Sequence, residues 1–320
     1  MTLLGHEEAW SAWRNAMGSA RMHHAWILAG KRGIGKGGFA RAAAAALVAE
    51  PGMRQPPVAN HPDIIVLEPL PATEDDEKKR ADGKPYQLKR SITIDQVRRM
   101  QQRLVTRPTL GERRVIVIDP IDDLEKSAVN ALLKSLEEPP QGTSFILIAH
   151  RPGRLIATVR SRCRMLRFAP LSDDDIDAVL RDEAPHADAP ARKAAIAAAA
   201  GSPGAALAYI ERDLAPLHVL MQRLVREGDP AFALRGALAE AIGPRPDRER
   251  QLAVLDLARG VVAAETGSLA PSHQLAAIEA HAALVRLGAQ APTANFDAGL
   301  LVMEIGGLLA SAALPRDAPA

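Results

Sequence analysis

The chain has 320 residues, of which 47% are hydrophobic and 24% are charged, and it carries a formal net charge of +2 and one cysteine. This length predicts two or three domains, and the apolar fraction is sufficient for packed cores, which excludes a disordered chain. One cysteine excludes an intrachain disulfide framework and a cysteine-cluster zinc site, and the small net charge argues against a nucleic-acid-binding surface over the whole chain. Without a long uncharged apolar run or a signal peptide, the sequence predicts a cytoplasmic protein with no membrane partner.

Short apolar runs alternate with helical patterns over residues 1–169. The runs are Ala25–Ala29, Ile64–Leu67, Val115–Ile118 and Phe145–Ala149, and the helical patterns are Lys36–Glu50, Ile94–Val105 and Leu124–Leu136. Continuous apolar runs are typical of strands that are buried on both faces of a parallel sheet. These residues therefore predict an α/β domain with a parallel sheet, interrupted at the charged stretch Pro71–Arg90, which predicts an exposed loop.

Beyond Pro170 the sequence contains only helical patterns. Ser172 is placed to cap a helix whose first turn is acidic, and the alanine-rich stretch Ala191–Ala200 predicts a helix that ends at Gly201. We expect a small helical domain over residues 170–212 and an all-α domain over residues 213–320.

A glycine-rich segment joins the first predicted strand to the first long helix of the α/β domain. It runs from Gly30 through Gly33 and Gly35 to Lys36. Glycines at these positions let backbone N–H groups approach phosphate oxygens, and the lysine reaches the β- and γ-phosphates. The context of strand, loop and helix predicts a P-loop.

Two residues depart from what metal-dependent hydrolysis requires. A P-loop that binds Mg²⁺ has Ser or Thr after its lysine, and here that residue is Gly37. Asp119 ends a predicted buried strand, where it either orients a metal ion or caps the turn, but the residue that follows is Pro120 rather than a glutamate that activates water. The sequence therefore predicts a loop that keeps its shape without efficient hydrolysis.

Three longer segments resemble one protein family. Met22–Lys36, Ser127–Pro140 and Leu155–Cys163 are similar to the corresponding motifs of the clamp-loader subunits of bacterial DNA polymerase III. This resemblance implies an AAA+-type P-loop domain over residues 1–169, a small helical lid over 170–212 and an oligomerisation collar over 213–320. In the collar, the apolar stretch Phe296–Leu314 is either the surface that packs against other subunits or an ordinary internal helix–helix core.

Within the family, the chain resembles the non-hydrolysing delta-prime type. Besides Gly37 and Pro120, Ala149 stands where a phosphate-sensing Thr is expected, and Gly204 stands where an active subunit has an Arg. The resemblance assigns to Arg162 an arginine finger that acts in trans on the ATP of a neighbouring subunit. Two alternatives stay open at this point, namely an active gamma/tau-like ATPase and a regulatory module that binds nucleotide at its P-loop.

The resemblance also implies partners and cofactors. The partners are the gamma/tau and delta subunits in a hetero-oligomer, and through the complex the sliding clamp and primed DNA. ATP binding by this chain is expected to be weak or absent, with Gly30, Gly33, Gly35, Lys36 and Asp119 as its residues. Other members carry a four-cysteine zinc site, but the matching stretch Glu50–His61 has no cysteine, and a single histidine cannot form a tetrahedral site, so no zinc is expected.

Overall fold

The computed structural model describes residues 4–19, 22–244, 246–290 and 297–314. The chain forms two compact units, Met1–Pro170 and Leu171–Ala320. The division of the second unit into a lid and a collar stays a prediction.

The first unit is built on a five-stranded parallel sheet. Its strands are β1 (Ala25–Ala29), β2 (Ile64–Leu67), β3 (Arg114–Ile118), β4 (Thr143–Ala149) and β5 (Arg164–Arg167), in the spatial order β2-β3-β4-β1-β5. The four apolar runs are confirmed as strands. The sequence did not predict β5, because this edge strand is mostly exposed and lacks a continuous apolar run.

Helices cover both faces of this sheet. They are α1 (Glu7–Met17), α2 (Lys36–Val48), α3 (Glu74–Ala81), α4 (Ile94–Leu104), α5 (Lys126–Glu137) and α6 (Ala157–Arg160). On one face, Ile27, Ile116 and Phe145 pack in a cluster with Met100 of α4 and Leu132 of α5. Neighbouring residues in a strand point to opposite faces, so Trp26 points the other way, where it contacts Trp13 of α1. The sheet is therefore buried on both sides, as its apolar strands require.

The stretch Pro71–Arg90 is exposed as predicted, but the prediction that it is a loop is wrong, because α3 lies within it. The Thr73 hydroxyl caps α3 by accepting the Asp76 N–H at 3.1 Å. The Asp76 carboxylate accepts the N–H of Gln87 at 3.0 Å, and this bond and those with Thr73 lower the pKa of Asp76. Acidic residues in the first turn and basic ones in the last suit the helix dipole, so local interactions stabilise a helix that has little core to contact.

The described secondary structure of the second unit is helical. Its helices are α7 (Asp173–Glu183), α8 (Ala189–Ala199), α9 (Pro203–Glu211), α10 (Ala215–Glu227), α11 (Ala233–Ile242), α12 (Arg248–Thr266), α13 (Pro271–Gln290) and α14 (Ala298–Ser311). Ser172 caps α7 as predicted, accepting the Asp175 N–H at 3.2 Å. The helix predicted to end at Gly201 is α8, after which Ala200 and Gly201 have positive φ. Of the expected packing stretch, Phe296 lies outside the described residues.

In the described parts of the chain, none of the helices combines the length and the apolar character needed to cross a bilayer. The long helices of the second unit instead bury apolar residues against one another, for example Val262 of α12 and Leu284 of α13, which are both fully buried.

We expect Leu132→Ala to lower the free energy of unfolding by about 2–5 kcal/mol, because it leaves a cavity beneath α5 in the core of the first unit. Leu132 is 0% exposed, whereas the control residue Val105 at the end of α4 is 88% exposed. Val105→Ala should change the same quantity by less than about 0.5 kcal/mol. Urea unfolding followed by circular dichroism measures both, and similar losses for the two variants would contradict this account of the core.

Candidate functional site

The glycines of the P-loop are required by its backbone. Gly33 and Gly35 have φ angles of 78° and 94°, in the left-handed region that favours glycine. At Gly30, a Cβ atom would lie 2.7 Å from Ile34 Cδ1 and 2.8 Å from the Phe168 carbonyl oxygen, which leaves no room for a side chain. The segment between β1 and α2 thus has the conformation that the motif predicts, with Gly35 at the N-cap of α2.

Lys36 is buried inside this loop, where it is 2% exposed. Its Nζ donates to the carbonyl oxygen of Gly30 at 2.7 Å and to that of Lys31. Burial lowers the pKa of Lys36 to about 8, although the carboxylates of Asp119 and Asp122 oppose this shift. At neutral pH the group is therefore mainly an ammonium, and an anion that enters the loop competes for it with two carbonyl groups.

Asp119 lies beside the P-loop at the carboxyl end of β3, as predicted. Its carboxylate contacts Arg41 Nη1 of α2 at 3.4 Å, and Arg41 Nη2 contacts Glu68 at 3.3 Å. Burial raises the pKa of Asp119, and the Arg41 charge opposes this effect. The structure therefore brings Lys36 and Asp119 to one place, but it gives the carboxylate an arginine partner that the motif did not indicate.

The P-loop fold implies a Mg²⁺ ion, so we compared the residues present with its requirements. A P-loop holds Mg²⁺ with the hydroxyl of the residue after the lysine and with the acidic residue at the end of the neighbouring strand. Here Gly37 has no hydroxyl, and a Cβ atom on it would lie 3.0 Å from both Arg41 Nη1 and Asp119 Oδ2. Gly37 thus supplies no oxygen ligand, and a guanidinium lies beside it, so this set of donors does not fit Mg²⁺.

Two polar residues near the loop were not assigned to the site from the sequence. The Asp122 carboxylate accepts the N–H groups of His150 and Arg151, at 2.6 and 3.0 Å. Burial, together with the charges of Lys36, Arg32 and Arg151, lowers the pKa of His150 to about 3. At neutral pH, His150 is therefore an uncharged imidazole.

The sequence assigned the phosphate-sensing position to Ala149, whose side chain is fully buried in the core. The next residue, His150, is the polar group that lies within electrostatic reach of Lys36. Ala149 pairs with Ala29, the residue before the P-loop. The carboxyl ends of neighbouring parallel strands meet at one edge of the sheet. A prediction that the runs Ala25–Ala29 and Phe145–Ala149 are neighbours would therefore have placed His150 next to the P-loop.

Arg162 is held in a different way from the P-loop residues. Its Nη1 donates to the Thr158 carbonyl oxygen at 2.8 Å and to Ser161 Oγ at 3.3 Å, and its Nη2 forms an ion pair with Glu137. These partners belong to α6, to the turn that follows it and to the end of α5. The structure thus joins Ser127–Pro140 to Leu155–Cys163 through Arg162, whose side chain stays 32% exposed.

The cysteine next to this arginine is not a nucleophile. Burial raises the pKa of Cys163 to about 12, and the nearby charge of Arg162 reduces this shift only in part. The thiol therefore stays protonated at neutral pH, and the side chain packs against the core of the first unit.

His61, at the end of the stretch Glu50–His61, is engaged within its own loop. Its Nδ1 accepts the Asp63 N–H at 3.0 Å, so its Nε2 carries the proton and donates to Gln55 Oε1 at 2.9 Å. Within the described residues, no three His, Cys, Asp or Glu side chains gather to form a metal site.

Comparison with known families places the chain. A family model described as DNA polymerase III, delta subunit matches residues 5–172, which is more than half of the chain. The chain belongs to this family. The match spans the P-loop, Asp119 and Arg162, so the site lies within the part that defines the DNA polymerase III delta-subunit family.

Individual relatives agree with the family. The delta' subunit of DNA polymerase III from Pseudomonas aeruginosa is 36% identical over 162 residues, covering 47% of this chain and 44% of that protein. The delta' subunit from Escherichia coli is 40% identical over 129 residues, which cover 40% and 38%. The tau subunit from Escherichia coli is 28% identical over 174 residues, which cover 54% and 26%. The chain thus spans less than half of the length of these relatives.

A solved structure shares the fold over nearly the whole chain. The DNA polymerase III gamma subunit-related protein from Thermotoga maritima has a TM-score of 0.50 and 15% sequence identity, and the superposition covers 96% of this chain and 99% of that one. A parallel α/β unit followed by a helical unit is therefore the fold that this delta-subunit family member shares with that protein.

The free energy of unfolding should rise with pH between about 8, the pKa of folded Lys36, and the ordinary value of 10.5, because the unfolded chain binds more protons there. The rise from this group amounts to at most about 3 kcal/mol. Lys36→Met lacks this contribution, so wild type should gain stability relative to the variant across the interval. Urea unfolding at several pH values tests this, with the exposed lysine variant Lys84→Met as control, and a constant difference between wild type and Lys36→Met would contradict it.

Proposed function

We propose that this chain is a non-hydrolysing, delta-prime-like subunit of the DNA polymerase III clamp loader. It scaffolds the ATPase subunits and supplies Arg162 in trans, so that the complex loads the sliding clamp on primed DNA. The observation that carries the proposal is the contrast between a P-loop that lacks the metal-binding hydroxyl and an ordered, partly exposed Arg162 that contacts α5 and α6.

The residues around the P-loop support the absence of hydrolysis. Gly37 offers no oxygen to a metal ion, and Pro120 offers no acid or base to activate water. Asp119, the remaining carboxylate, is engaged with Arg41. Lys36 and the glycines are intact, so the loop can still contact an anion while lacking the groups that would cleave it.

The placement of Arg162 supports a role in trans. Its guanidinium is a planar fork of donors that matches phosphate oxygens. Three contacts fix its orientation, and one of them is an ion pair with a single carboxylate, that of Glu137. A triphosphate from a neighbouring subunit carries more negative charge than this carboxylate and can therefore compete for the guanidinium.

The partners follow from the same proposal. Relatives include both delta' and tau subunits, which supports a hetero-oligomer with the gamma/tau and delta subunits, with the sliding clamp and primed DNA as the objects of the complex. Residues 170–212 would serve as a lid and residues 213–320 as a collar, where Leu300 is 72% exposed and Ile278 is 56% exposed. A bacterial replication subunit acts in the cytoplasm.

The intact Lys36 and its three glycines favour a second candidate, a regulatory P-loop that binds nucleotide without cleaving it. Titration of labelled ATP separates the two, since binding by wild type that is lost in Lys36→Ala supports the regulatory module. The gamma/tau-like alternative requires Mg²⁺-dependent ATP turnover by the purified chain alone, and observing such turnover would overturn the non-hydrolysing role.

We expect Arg162→Ala to leave assembly of the reconstituted complex intact but to reduce its ATPase rate by about 10³-fold or more, since arginine fingers in GTPases contribute about 10³–10⁵-fold. Size-exclusion chromatography measures assembly, and steady-state phosphate release measures the rate.

Arg160→Ala is the matched control, because it removes an exposed arginine from the same short stretch. It should leave both measurements unchanged. If Arg162→Ala complexes assemble and turn over ATP at the wild-type rate, Arg162 is not the finger.

A further inference from the structure

Four charged side chains of alternating sign form a chain that leads from α3 to the P-loop. Arg80 of α3 contacts Glu68 at 3.2 Å, Glu68 contacts Arg41 of α2 at 3.3 Å, and Arg41 contacts Asp119 at 3.4 Å. We call this set the ion-pair chain. It brings together residues from the excursion Pro71–Arg90, the end of β2, the P-loop helix and the end of β3.

The guanidinium of Arg41 lies between Gly37, the position that supplies the metal-binding hydroxyl in a hydrolytic P-loop, and the carboxylate of Asp119. A Cβ atom built on Gly37 would be 3.0 Å from Arg41 Nη1 and 3.0 Å from Asp119 Oδ2. The residue that supplies the hydroxyl and the residue that supplies the carboxylate therefore both face this guanidinium. Arg41, a member of the ion-pair chain, supplies the positive charge that balances the carboxylate of Asp119.

We propose that Arg41 takes the place of the divalent cation in this P-loop and excludes metal from it, with Glu68 and Arg80 as positioning residues. The proposal deepens the non-hydrolysing part of the proposed function, on which it rests, and makes no use of Arg162. By this proposal, metal binding is lost because the Arg41 guanidinium is present, as well as because Gly37 has no hydroxyl.

The chemistry of the two cations explains the consequence. An arginine donates hydrogen bonds to carboxylate or phosphate oxygens, but it has no open coordination position and cannot polarise a bound water as a metal ion does. A phosphate group that enters the loop would contact two positively charged side chains, those of Lys36 and Arg41. The site is thus suited to holding a metal-free anion.

Restoring the metal ligands by substitution tests whether the missing hydroxyl of Gly37 or the guanidinium of Arg41 prevents metal binding. Gly37→Ser supplies the hydroxyl and keeps Arg41, whereas the double variant Gly37→Ser/Arg41→Gln supplies the hydroxyl and also removes the guanidinium. The control is Gly37→Ser/Arg98→Gln, which removes an arginine paired with Asp95 at 3.6 Å on α4, outside the P-loop. Electron paramagnetic resonance of free Mn²⁺, added to the full chain, measures binding, and circular dichroism verifies folding.

We expect no saturable Mn²⁺ site in wild type, in Gly37→Ser or in the control. Compared with these proteins, Gly37→Ser/Arg41→Gln should bind Mn²⁺ with an affinity that is higher by about tenfold or more, because removal of the guanidinium releases the oxygen ligands. Adding Asp119→Asn should remove this gain. If Gly37→Ser alone binds Mn²⁺, or if the folded double variant does not, then Arg41 is not the barrier and the proposal is overturned.

Two further measurements keep the proposal testable if the double variant does not fold. Wild type should show no Mn²⁺ binding that depends on Asp119. If wild type binds Mn²⁺ and Asp119→Asn does not, the proposal is overturned. Arg41→Gln alone keeps Gly37 and should gain a weaker Mn²⁺ site between Glu68 and Asp119, whereas a folded Arg41→Gln without this gain would also overturn it. All these measurements use the chain by itself, so their failure is distinguishable from failure of the Arg162 experiment in the reconstituted complex.

Discussion

The parallel pairing of β1 with β4, and of β4 with β3, is the constraint on which the site depends. It places the carboxyl ends of three buried strands at one edge, where the chain turns into the P-loop, into Asp119 and into His150. These strands are buried on both faces, so their side chains must fit the helices that pack on each side of the sheet. The distances between charged groups at this edge are therefore a consequence of packing in the sheet.

Charge at that edge is balanced within the chain. Burial disfavours the charged forms of both Lys36 and Asp119, as the lowered pKa of one and the raised pKa of the other indicate. Arg41 compensates the carboxylate, and the loop carbonyl groups hold the ammonium. In this P-loop, Lys36 and Asp119 thus both contact groups of the chain itself.

Much of the first unit could be predicted from the sequence, since its inner strands are continuous apolar runs and the P-loop glycines have sterically defined roles. The edge strand β5 could not, because half of its surroundings are solvent. Arg41 and His150 were missed for a related reason: their importance comes from contacts across the sheet edge, between residues far apart in sequence. The helix α3 was missed because its stability comes from a cap and charge placement, with no apolar periodicity.

The backbone hydrogen bond from Lys89 N–H to the Leu70 carbonyl oxygen, at 2.7 Å, joins the two ends of the excursion that contains α3. A segment whose ends already meet can be lengthened or shortened at small entropic cost, without displacing β2 or α4. It is an insertion point at which the surface of the protein can vary independently of its core. Arg80 lies within this segment and contacts Glu68. Sequence variation in the segment can therefore also change the charge near the P-loop, while the fold of the P-loop stays the same.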